Sequence, residues 1–205
     1  MKLVRDWWLP DGEVHLDEWI AREGSYQGPH RANALKHVQK WDVALDVGGH
    51  VGLWSRELSE KFRLVHAFEP VPEHRDCFWK NVTNPNVLLH PYALGDEEKR
   101  VAMVTEPHST GGTHVDPVNA GDVPMRTLDS FGFEEVDFLK IDCEGYELYI
   151  LKGAKETLLR CKPVICIEQK PHPYFGNHQY AASKWLLDLG AKFLSGFKAD
   201  LVYGW

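Results

Sequence analysis

Val43-Ala44-Leu45-Asp46-Val47 is a short, almost wholly apolar run that stops at a pair of glycines and passes into the amphipathic stretch Leu53 to Phe62. A run of that length with no polar alternation suits a strand buried on both faces, and strand, glycine loop and helix in succession form the repeating unit of a parallel α/β sheet. The same pattern recurs downstream. Leu64 to Phe68 reads as a strand, Pro72 to Val82 as a helix and Val87 to His90 as a third strand. Later come strand Val136 to Ile141, helix Tyr146 to Arg160, strand Val164 to Glu168, helix His178 to Leu189, and strands near Ala191 to Leu194 and Leu201 to Tyr203. Between the halves, Arg100 to Asp129 breaks the rhythm, with Val101-Ala102-Met103-Val104, Gly111-Gly112 and Val123-Pro124-Met125-Arg126; it reads as a β-hairpin insertion. Residues 1–29 read as irregular. Pro10-Asp11-Gly12 marks a turn, and Gly24, Gly28 and Pro29 break the chain before a helix at His30 to Gln39.

At 205 residues the chain has room for one ordinary domain. The expected organisation is a single unit, residues 1–205, with an N-terminal cap over 1–40 and an α/β core over 41–205. A net charge of -7 repels a phosphate backbone over most of the surface, so no nucleic-acid partner is expected. Four cysteines without a Cys-x-x-Cys pair point to a reduced, cytoplasmic setting, and Cys143 and Cys166 read as small core residues. No stretch approaches the roughly 18 apolar residues of a spanning helix, so no membrane span is expected. Oligomeric state is left open.

Ligands of open α/β sheets bind outside the carboxyl ends of the strands. Two features meet there: Asp46-Val47-Gly48-Gly49-His50-Val51-Gly52, and Glu69 within Phe68-Glu69-Pro70. An acid about 20 residues past a glycine loop accepts hydrogen bonds from ribose hydroxyls, which makes Glu69 the expected ribose ligand. A pyrophosphate cofactor calls for Gly-x-Gly-x-x-Gly, whereas here an acid stands first and the order is Asp-x-Gly-x-x-x-Gly. A carboxylate beside the loop disfavours phosphate and suits a cationic ammonium, such as the methionine end of S-adenosylmethionine.

Four motifs now occur in order. They are Ala44 to Gly52, Ala67-Phe68-Glu69-Pro70, Arg126-Thr127-Leu128-Asp129, and Phe138-Leu139-Lys140-Ile141-Asp142-Cys143-Glu144-Gly145-Tyr146-Glu147, extended by Leu151-Lys152-Gly153-Ala154 and Ile167-Glu168. Together, over about residues 43–170, they resemble the FkbM-type methyltransferases. The resemblance implies a Rossmann-like class I methyltransferase fold: a mostly parallel seven-stranded sheet with helices on both faces and a β-hairpin insertion. It also implies S-adenosylmethionine as cofactor and methyl transfer to a hydroxyl oxygen. Asp46, Gly48 and Gly52 then fall on the cofactor loop and Glu69 on the ribose position. Gly49, His50, Pro70 and Ala93 complete the expected cofactor contacts, and His50 departs from the usual pattern, where asparagine is commoner.

The strand end at Asp142 and Glu144 delivers two carboxylates to the cleft, where they can accept hydrogen bonds from an acceptor alcohol and help remove its proton. The plainer reading is that Glu144 caps the next helix and Asp142 fixes a loop. Glu168, ending the following strand, is expected near Asp142. Asp142, Glu168 and Gln169 form the candidate oxygen-rich site for Mg²⁺. His172, in Pro171-His172-Pro173, is a candidate general base or a solvated loop histidine. The expected acceptor is a hydroxyl on a sugar, a glycan or a small metabolite. The alternatives are a catalytically inactive methyltransferase-fold binding protein and a nicotinamide-dependent oxidoreductase.

Overall fold

The computed structural model describes residues 1–23, 26–106, 108–172, 175–176 and 178–205. The expected break at Gly24 and the Pro173 flank of His172 lie outside them. Seven strands build the central sheet: β1 (Val43–Val47), β2 (Leu64–Phe68), β3 (Val87–His90), β4 (Phe138–Ile141), β5 (Val164–Glu168), β6 (Lys192–Phe197) and β7 (Asp200–Gly204). Their order across the sheet is β6-β7-β5-β4-β1-β2-β3. β7 runs antiparallel to both its neighbours and the other strands run parallel, so the sheet is mixed. Strand order reverses between β1 and β4, and that reversal opens a crevice above their carboxyl ends.

Side-chain alternation divides the sheet's burial between two faces. Val43, Leu45 and Val47 of β1, with Leu139, Ile141, Ile165 and Ile167, pack with Ile150, Leu151, Leu158 and Leu186. These come from helices α5 (Glu147–Lys152), α6 (Lys155–Cys161) and α7 (Ala181–Leu189). Ala44, Val65, Ala67 and Phe138 pack on the opposite face with Ala34, Trp54, Leu58 and Phe78. Those belong to α2 (Gly28–Leu35), α3 (Leu53–Ser59) and α4 (Pro72–Asn81). Helices thus cover both faces, and all four cysteines are unpaired. Among the described residues no helix is long and apolar enough to cross a membrane.

Three expectations need correction. The helix read over Tyr146 to Arg160 is two helices, α5 and α6, because at Gly153 the chain passes so close to Gly95 that a Cβ there would lie 1.9 Å from its carbonyl oxygen. Asp129 supports the break: its carboxylate accepts the backbone N–H groups of Glu156 and Thr157 at the start of α6. The insertion is more than a hairpin. Met103–Glu106 pairs with Ser109–Val115, while Val123–Arg126 joins Lys99–Val101 and Ala93–Leu94 in a separate three-stranded sheet.

The N-terminal region, read as irregular, is ordered as a hairpin of Lys2–Val4 and Trp7–Leu9 followed by helix α1 (His15–Glu23). Trp7, Leu9, Leu16 and Ile20 bury together with Val51 of the glycine loop and Leu53 at the start of α3. Leu16 and Ile20 are one helical turn apart, a pairing too short to stand out against the surrounding charges.

Candidate active site

The loop after β1 is held against the ends of its neighbours. Backbone N–H groups of Gly48 and Gly49 donate to the Phe68 carbonyl at 3.1 and 3.0 Å. Gly48 has φ +80, and a Cβ there would lie 2.0 Å from the Asp142 carbonyl oxygen, so only glycine lets this loop pass the end of β4. Gly49 and His50 follow it along the cleft wall. Gly52 turns away from the cleft and starts α3 with φ +93, where a Cβ would meet Val82 at 2.4 Å. Its role is helix packing, which corrects the expectation of a cofactor contact.

Glu69 sits at the end of β2 with its side chain 6% exposed. One carboxylate oxygen accepts the His50 backbone N–H at 2.8 Å; the other accepts the Val71 N–H at 2.8 Å and lies 3.1 Å from His74 Nδ1. These bonds fix its direction toward a cavity of about 60 Å³ lined by Phe68, Pro70, Tyr92, Ala93, Leu94 and Met103. The cavity is apolar except for Glu69, His50, His74, Asp142 and the hydroxyl-bearing hairpin strand that closes it.

Asp46 does not face this cleft. Its side chain is fully buried on the α2–α4 face, where Oδ2 accepts the Ser55 hydroxyl at 2.6 Å and Oδ1 lies 3.3 Å from Lys140 Nζ. Strand parity puts it beside Ala44, under α3, so it anchors Lys140 and does not meet a ligand. Lys140 in turn donates to the Gly48 carbonyl at 3.0 Å and lies 3.9 Å from Asp142 Oδ2. Burial alone would lower the Lys140 pKa, but Asp46 and Asp142 outweigh it and hold the ammonium charged.

A second, polar cleft of about 250 Å³ adjoins the first, and Asp142, Glu144, Glu168, Lys170 and Tyr26 line it. Gly48, His50, Gly111 and Asp142 line both spaces, so the two are halves of one site with Asp142 on the divide. Burial, and then the Asp142 charge, pushes the Glu144 carboxyl up to about 7 and the Glu168 carboxyl up to about 9. Lys170 Nζ lies 2.5 Å from Glu168 Oε1 and partly offsets that crowding of negative charge.

Two expected residues fall elsewhere. Gln169 turns toward α7, where its side-chain oxygen accepts the Ser183 hydroxyl at 2.8 Å and its amide donates to the Glu168 carbonyl. The trio Asp142, Glu168 and Gln169 is therefore not assembled as an oxygen site, which corrects the reading that suggested Mg²⁺. His172 lines neither half of the cleft, and its Nδ1 lies 3.8 Å from Glu144 Oε2. It stands behind Glu144.

Sequence reasoning missed Glu13 and Glu147, and read Thr110 only as part of a hydroxyl-rich turn, Ser109 to Thr113. Glu13 is fully buried; one oxygen accepts the Leu16 N–H at the start of α1, and the other accepts both the N–H and the hydroxyl of Thr110 at 2.6 Å. The Thr110 hydroxyl also meets His50 Nε2 at 2.9 Å. Since its single proton goes to Glu13, His50 must donate through Nε2, which leaves Nδ1 bare. Burial keeps that imidazole neutral, with its pKa well below the ordinary value. Glu13, Thr110 and His50 thus tie the N-terminal helix and the hairpin to the glycine loop. Glu147 accepts the N–H groups of Cys143 and Gly145 and fixes the loop that carries Glu144. Its place two residues after Gly145 was the one local signal; the partners of Glu13 are too distant in sequence to leave one.

The same architecture recurs in known proteins. The FkbM methyltransferase domain matches residues 46–193. A hexuronic acid methyltransferase, AglP, of Haloferax volcanii is 28% identical over 132 residues, covering 60% of this chain and 54% of that protein. The chain spans about half the length of the curated relatives it matches. A crystal structure of an FkbM methyltransferase from Methylobacillus flagellatus superposes with TM-score 0.56 at 19% identity, covering 80% of this chain and 43% of that one. A precorrin-6y C5,15-methyltransferase from Geobacter metallireducens superposes with TM-score 0.52 at 14% identity, covering 100% of this chain and 98% of that one. These two likenesses show a shared fold.

Proposed function

The chain belongs to the FkbM methyltransferase family, and we propose that it carries a methyl group from S-adenosylmethionine to a hydroxyl oxygen of a saccharide. The observation that carries this reading is the position of Asp142, on the divide between the apolar niche beside Glu69 and an acid-lined cleft. The saccharide class follows AglP, whose name gives hexuronic acid as what it methylates.

The donor set fits the cofactor. Glu69 offers acceptor capacity to ribose hydroxyls at the end of β2. Tyr92, Leu94 and Met103 supply the apolar walls that a nucleobase needs. When bound, S-adenosylmethionine would supply an activated methyl on a sulfonium, passed to the acceptor oxygen as the C–S electron pair stays with sulfur.

The chain's own work is then alignment, proton removal and exclusion of water. Asp142 takes the hydroxyl proton on the divide, with the Lys140 ammonium 3.9 Å away. Glu144 and Glu168 hold the acceptor from the far wall. The hairpin strand Ser109–Val115, pinned through Thr110 to Glu13, covers the niche.

Methyl-labelled S-adenosylmethionine incubated with the full chain and a panel of uronic-acid saccharides tests the proposal. Label in an ether-linked methyl supports it. S-adenosylhomocysteine binding without label in any saccharide hydroxyl overturns the acceptor class.

A further inference from the structure

The far wall of the polar cleft, together with His172 behind it, holds a group of side chains that methyl transfer alone does not explain. Glu144, Glu168 and His172 each bring one ligand atom to within 4.8 Å of the others. Metal–ligand bonds of about 2.0–2.2 Å set ligand atoms roughly 3–4 Å apart, so small side-chain shifts close this set on one ion. A cluster of acids is common without an ion, and a second observation singles this one out. Glu168 is buried, 4% exposed at its side chain, and while Lys170 holds Oε1, Oε2 has no hydrogen-bond partner. A buried carboxylate oxygen left unpaired is costly, and such an orphan calls for a partner.

The surroundings are shaped to the same end. Gly145 has φ +99, and a Cβ there would sit 2.7 Å from His172 Cβ, so glycine is what lets the imidazole approach behind Glu144. One imidazole nitrogen with two carboxylates is a donor set for a first-row transition ion such as Mn²⁺; Mg²⁺ prefers oxygen donors and keeps its waters.

We infer that Glu144, Glu168 and His172 bind one divalent transition-metal ion of the Mn²⁺ type at the acceptor side of the cleft. The inference rests on the reading of this cleft as the acceptor site and deepens it. An ion there gives the acceptor oxygen a Lewis-acidic contact opposite Asp142, so its proton leaves more easily.

Electron paramagnetic resonance titration of Mn²⁺ into the full chain saturated with S-adenosylhomocysteine tests the site without requiring turnover. One Mn²⁺ per chain is expected, weakened at least about tenfold by Glu168→Gln and by His172→Ala. Gln169→Ala leaves the affinity unchanged, because Gln169 faces Ser183. Glu144→Gln, isosteric and on a loop, repeats the loss in a variant that keeps its fold. Calorimetry with S-adenosylhomocysteine on the same preparations separates the two ideas: cofactor binding with only the free-Mn²⁺ spectrum overturns the metal site and leaves the methyltransferase reading standing. Mn²⁺ affinity unmoved by His172→Ala also overturns it. Loss of cofactor binding in the unmodified chain overturns the methyltransferase reading instead.

Discussion

Lys140 and Asp46 are neighbours across adjacent strands, β4 and β1, and their charges meet at 3.3 Å inside the sheet. From that buried pair the ammonium reaches both the Gly48 carbonyl and the Asp142 carboxylate, so a single cation joins the cofactor loop to the proposed base. Lys140→Met should cost about 3–5 kcal/mol in chemical denaturation, because it strands a buried carboxylate. Adding Asp46→Asn should recover most of that loss. A double variant no more stable than Lys140→Met would show that the pair is not the reason for its burial.

Asp142 and Glu69 are assigned different tasks and should fail differently. Asp142→Asn keeps the shape of the loop but removes the proton acceptor, so turnover should fall by about 100-fold, with affinity for S-adenosylhomocysteine changed less than threefold. Steady-state kinetics beside calorimetry read the two quantities. Equal losses in both would merge the roles.

Thr110 closes the niche through Glu13 and His50. Thr110→Val removes the hydroxyl and both of its bonds while keeping the side-chain volume. Release of S-adenosylhomocysteine, followed by stopped-flow fluorescence, should speed up about tenfold, in line with roughly 1.5 kcal/mol for a hydrogen bond to a charged group. An unchanged release rate would mean that the hairpin does not hold the ligand.

Glu147 carries a pH signature. Burial pushes its carboxyl up to about 7, from an ordinary value near 4.5, against the backbone bonds that lower it. The folded chain therefore holds this proton more tightly than the unfolded chain. The stability it contributes is full below pH 4.5 and is lost as pH rises through 7, by at most about 3 kcal/mol. Glu147→Gln should flatten the fall in stability between pH 5 and 8, measured by urea denaturation at each pH. A slope as steep as that of the unmodified chain would assign the effect to other groups.

The sheet was the most legible part of the sequence. β1, β2, β3 and β5 carry compact apolar runs bounded by loops, and their limits follow directly from that contrast. The glycine loop and Glu69 were legible for the same reason, since each ends such a run. Asp46 was misread because a strand buried on both faces gives no alternation from which to tell inward from outward. Its true direction follows only from its pairing with Lys140 in the adjacent strand β4. The lock at Glu13 was illegible because it depends on Thr110, far along the chain, in a hairpin whose docking no local pattern encodes.

We read Gly48 to His50 and Glu69 as the cradle of an S-adenosyl cofactor. Titration calorimetry of S-adenosylhomocysteine into the full chain, beside NAD and beside Glu69→Ala, tests it most directly. The account predicts one site per chain for S-adenosylhomocysteine, no binding of NAD, and affinity weakened about 10- to 100-fold in Glu69→Ala, as expected for losing charge-assisted bonds to the ribose. Saturable NAD binding, or S-adenosylhomocysteine binding that Glu69→Ala leaves intact, would contradict it.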